Sequence, residues 1–129
     1  MFVPRAAQYG IRCPISVARK FGKELEKALD ALASDEWAVA EARELAAQSL
    51  TPSEAFESVA PVLSLVCEQS ESYAFSACCW LAMDLATLSS TTERPFGLEK
   101  VINEAESVAQ RLGCERELAP LRKWYWHGA

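Results

Sequence analysis

The stretch Tyr73–Leu88, YAFSACCWLAMDLATL, is apolar or small at every position except Ser76, Asp84 and Thr87. At 1.5 Å rise per residue it is too short to cross a bilayer, which takes roughly 20 apolar residues, and it carries a carboxylate near its end. It therefore reads as the central buried helix of a water-soluble domain. Phe75, Cys78, Leu81, Ala82 and Leu85 form its strongly apolar side, and Tyr73, Ala77, Trp80 and Asp84 the opposite stripe.

Working back from this helix, Thr51-Pro52-Ser53-Glu54 is a capping box with proline at the first helical position. It predicts a third helix running to Glu68, kinked or restarted at Pro61, where the ring removes a backbone hydrogen bond. Upstream, Ser34 caps a second helix to about Ser49, with Asp35 and Glu36 in its first turn. The first helix, Ile15 to Ala33, places Ala18, Phe21, Gly22, Leu25, Ala28, Leu29 and Leu32 on one face and follows an extended lead-in over residues 1–14.

Working forward, the polar run 89–96, closed by Pro95, reads as a long loop. Leu98, Val101, Ile102, Ala105, Val108, Ala109 and Leu112 then mark a fifth helix that Gly113 ends. A short last helix over Glu115 to Trp126 contains Pro120 and finishes in Trp124, Tyr125 and Trp126, which pin the C-terminus to the core. No alternating strand pattern appears. The expectation is one all-α domain over 1–129 with about six helices in three hairpins, either a compact orthogonal bundle or a short HEAT-like α-solenoid. The solenoid follows if a shift of 36 residues, which lays Ser34–Ala47 over Ser70–Met83, marks a true repeat.

Charge narrows the function. The chain has 129 residues and a net charge of −5, unevenly distributed. Residues 1–29 hold six bases against two acids, residues 30–110 hold fourteen acids against Arg43, Arg94 and Lys100, and the last nineteen residues return to +2. An acidic middle of this strength excludes nucleic acid and anionic membrane as partners and favours a basic protein. The opening sequence lacks a signal-peptide core, and five cysteines without regular spacing read as reduced, mostly buried thiols, so a cytoplasmic location is expected.

No motif for catalysis or for a cofactor is present. The one histidine, His127, lies three residues from the end, and there is no Gly-rich phosphate loop or paired Glu-x-x-His. Cys78 and Cys79 point about 100° apart on a helix, which suits packing rather than metal chelation. The reading is non-enzymatic, with no cofactor and no metal.

The candidate binding residues come from the helical wheel. In the second helix Ala38, Val39, Ala42, Leu45 and Ala46 face inward, leaving Trp37, Glu41, Glu44 and Gln48 on the other side. The 36-residue shift aligns this stripe with Tyr73, Trp80 and Asp84. Trp37, Glu41, Glu44, Tyr73, Trp80 and Asp84 then form a partner-binding face of aromatic anchors among carboxylates. In the competing reading the aromatics lie between the two helices and Asp84 is satisfied by Arg43 or Arg94.

In size, acidity and hairpin pattern the chain resembles the small, acidic, all-helical immunity proteins of bacterial toxin systems. That resemblance implies a module that binds and neutralises a cognate basic toxin or effector. It brings no family motif and no residue roles. A structural or regulatory homodimer using the same helical face is the alternative.

Overall fold

The capping box sets the best-defined boundary in the chain. In the computed structural model, which describes residues 14–31, 37–48 and 50–126, the Glu54 N–H donates to Thr51 Oγ1 at 3.1 Å and the Thr51 N–H donates to Glu54 Oε1 at 2.8 Å. Two of the orphan donors at the helix start are thereby satisfied reciprocally. Helix α3, Pro52–Cys67, starts there and continues through Pro61 without restarting. Of the kink or restart expected from the sequence, the restart does not occur. Glu57, whose carbonyl loses the Pro61 N–H, lies on the exposed side of α3, where water can take that acceptor.

The remaining elements are α1 (Pro14–Ala31), α2 (Ala38–Ala47), α4 (Ser72–Ser89), α5 (Leu98–Leu112), a 3₁₀ turn over Glu115–Glu117 and α6 (Ala119–Trp126). The described residues are all-helical, without a strand. The lead-in over residues 1–13 and the Ser34 cap with Asp35 and Glu36 lie outside them. The last helix is shorter than the sequence suggests: the 3₁₀ turn takes its first residues, and Pro120 falls in the first turn of α6, where a missing N–H costs little. Gly113 closes α5 in the left-handed region at φ 71°, as its place past the apolar stripe requires.

The helices pack as three successive hairpins in two layers. Helix α3 packs against α1 on one side and α5 on the other, while α4 packs against α2 and α6. The hairpins α1–α2 and α3–α4 join the layers, and the 3₁₀ turn touches α4, α5 and α6 to close the third. Helix α1 meets its mate α2 and α3 meets α4, whereas α5 and α6 are joined through the 3₁₀ turn and by the Arg122 hydrogen bonds. Helix α4 is buried nearly all round: Phe75, Ala77, Cys78, Cys79, Leu81, Ala82, Leu85 and Ala86 are fully shielded. They share one core with Val59, Val62, Leu63 and Val66 of α3, Ile102 and Ala105 of α5, and Leu121 of α6. Fully burying a Leu or Phe side chain stabilises by about 1.5–3 kcal/mol, so this interior provides most of the fold's stability.

The C-terminal aromatics are tied down. Trp124 Nε1 donates to the Thr91 carbonyl at 3.0 Å, Tyr125 is buried, and the Arg94 and Arg122 guanidinium groups lie 5.0 and 5.1 Å from the Trp126 ring centre. Arg122 also donates to Glu106 and Asn103 of α5, holding α6 to that helix. The hydrogen bond from Arg122 holds the Glu106 carboxyl below its usual range against the opposing effect of partial burial.

Candidate protein-binding face

Helix α2 is short, and only one side of it is covered. Val39 and Ala42 are buried against the neighbouring helices and Ala46 is half-buried, which leaves Trp37, Glu41, Glu44 and Gln48 in the open. Trp37 is the residue before the first helical turn, 68% exposed, and its carbonyl accepts the Glu41 N–H at 2.9 Å. Glu41 sits in the first turn, where the helix dipole favours a carboxylate.

Leu45 departs from the sequence expectation. Placed on the inward side by the wheel, it is 61% exposed. At 100° per residue Leu45 lies only about 40° from Glu41 and about 90° from the centre of the buried side. Helix α2 packs on α1 and α4, and among the described residues its flank at Leu45 is left exposed. The open side of α2 therefore offers two large apolar side chains, Trp37 and Leu45, on either side of Glu41 and Glu44.

The α4 half of the stripe is built differently. Tyr73 and Trp80 meet edge to face with ring centres 5.9 Å apart, and Tyr73 remains 39% exposed. Trp80 Nε1 donates to Glu117 Oε1 of the 3₁₀ turn at 2.9 Å, fixing the indole plane. Arg43, reaching across from α2, lies 5.4 Å from the Trp80 ring centre. It also clasps Asp84, with Nε to Oδ2 at 3.1 Å and Nη2 to Oδ1 and Oδ2 at 3.1 and 2.9 Å.

The six residues singled out by the wheel thus divide into two groups. Trp37, Glu41 and Glu44 are open to solvent, and Tyr73 is partly so. Trp80 and Asp84 are half-buried and engaged within the molecule, Trp80 by Glu117 and Arg43, Asp84 by Arg43. The competing reading of Asp84 holds for Arg43 and not for Arg94, which stacks on Trp126 instead. Glu117 was not legible as a member of this group, because no periodicity links a 3₁₀ turn to a helix 37 residues earlier.

Chemically the face presents carboxylates and aromatic rings and no nucleophile. Cys78 and Cys79 lie beneath it, fully shielded; burial pushes the Cys78 thiol up to about 12 and the Cys79 thiol up as well. Thiols so placed stay protonated and inert. Among the described residues no three His, Cys, Asp or Glu side chains are grouped as a metal ion requires, and no helix is long and apolar enough to cross a membrane. No family model, curated protein or solved structure matches this chain.

Proposed function

We propose that this chain is a non-enzymatic protein-binding module whose α2–α4 face takes a basic protein partner. The observation that carries the reading is Trp37, 68% exposed beside Glu41 and Glu44 on the open side of α2. Exposed tryptophan is costly to leave in water and is among the residues most often found at the energetic centre of interfaces. Beside it the Arg43–Asp84–Trp80–Glu117 group supplies a preformed wall, which reduces the side-chain ordering that binding requires.

The carboxylates Glu41 and Glu44 select a cationic partner and exclude a second copy across the same face, since like charges would then oppose each other. A basic toxin or effector, neutralised by having its active surface covered, is the partner that the chain's size and acidity suit best. The test begins with Trp37→Ala, which should leave the helical fold intact and weaken a captured partner by about 2 kcal/mol or more. Glu41→Lys with Glu44→Lys should mainly slow association, most strongly at low salt. A partner held equally well by both variants rules out this face.

A further inference from the structure

On the opposite layer, α1 and α3 border an open groove of about 1030 Å³. Its apolar surface comes from Phe56, Pro61 and Leu65 of α3, all half-exposed. Phe96, in the turn before α5, stands at its edge and is fully exposed at 102%. That turn is rigidly shaped: Pro95 is buried, its carbonyl accepts the Leu98 N–H at 3.1 Å, and Gly97 adopts φ 80°, which an L-residue rarely does. Held fully exposed on this turn, Phe96 adds to the apolar surface at the edge of the groove.

The charges on the two walls decide what fits. The α1 wall carries Arg19 and Lys23, with Glu26 further along, and the α3 wall carries Glu57 and Glu68; all five are exposed. A basic wall facing an acidic wall across an apolar floor is complementary to itself under a two-fold axis running along the groove. That operation sets the α1 wall of one copy against the α3 wall of the other, twice. The occupant is therefore a second copy of this chain: we propose that the protein forms an isologous dimer through the α1–α3 groove, Phe96 of each copy entering the groove of the other. The α2–α4 face, in the other layer, stays open on both copies.

The test uses the full chain in sedimentation equilibrium up to about 0.1 mM, a range in which micromolar association is read directly. The expected species is twice 14.2 kDa. Phe96→Asp should raise the dissociation constant by about thirtyfold or more, the size of an interface hot spot, without changing helicity, since Phe96 is exposed in the single chain. Arg19→Glu/Lys23→Glu and Glu57→Lys/Glu68→Lys each put like charges on facing walls and should be monomeric alone. Mixed in equal amounts, those two variants should form a heterodimer, because each then meets the opposite sign on both walls. That rescue separates facing walls from mere damage to the fold. A wild-type monomer at the highest concentration, which leaves the groove to residues 1–13 or to a foreign chain, overturns the proposal, as does an undisturbed Phe96→Asp dimer or failure of the mixture to associate.

Discussion

Replacing Arg43 by alanine should loosen a polar group that ties α2 to α4. Two interactions vanish together: the bidentate clasp on Asp84 and the guanidinium stacking on Trp80 at 5.4 Å. The side chains of Arg43 and Asp84 are 27% and 39% exposed, so water screens the pair and its share is about 0.5–1 kcal/mol rather than that of a buried pair. A cation over a half-exposed indole adds about 0.5–1 kcal/mol. The expected loss is about 1–2 kcal/mol, or roughly 4–8 °C in melting temperature for a domain of this size. Asp84→Ala should cost less, because it keeps the stacking. The double-mutant cycle between the two should return a coupling of about 0.5–1 kcal/mol. Thermal and urea unfolding followed by circular dichroism measure all three variants. An Arg43→Ala protein as stable as wild type, or a cycle with no coupling, would refute the view that this group joins the two helices.

Two further outcomes test the fold. Thr51→Ala removes the side-chain acceptor for the Glu54 N–H and should cost about 1 kcal/mol in urea unfolding. Cys78, Cys79 and Cys114 should react slowly with a disulfide reagent in the native protein at pH 8 and quickly once unfolded. Their stability effect has a definite sign. The Cys78 thiol is raised in the folded state to about 12, whereas an unfolded thiol ionises near 8.5, so its contribution is intact below about pH 8.5 and is lost as pH climbs toward 12. Immediate native labelling of Cys78, or a flat alkaline limb of the stability curve, would contradict the burial that sets this shift.

The parts of this protein legible in its sequence are those whose partners lie within one or two turns. The Thr51–Glu54 box, the Gly113 stop and the α5 stripe from Leu98 to Ala109 follow from helix geometry, which brings residues three and four apart together whatever surrounds them. The near-continuous apolar character of Tyr73–Leu88, broken only by Ser76, Asp84 and Thr87, gave away a helix covered on most sides for the same reason. The wheel also put Trp37, Glu41 and Glu44 on one side of α2, because a face is a local property.

What the wheel could not supply is which flank a neighbour reaches. Leu45 is apolar and borders the buried side, yet the positions of α1 and α4 leave it in water. Pro61 breaks a local rule without breaking α3, since its lost hydrogen bond lies on the solvent side. Arg43 meets Asp84 across 41 residues, Trp80 meets Glu117 across 37, and Trp124 meets Thr91 across 33. Such pairs depend on how the hairpins stack and at what spacing, quantities set by the summed packing of the whole interior. Only the tertiary structure decided that Trp80 and Asp84 are half-buried against Glu117 and Arg43 while Trp37, Glu41 and Glu44 are exposed, and that Phe96 stands beside a groove whose walls carry opposite charge.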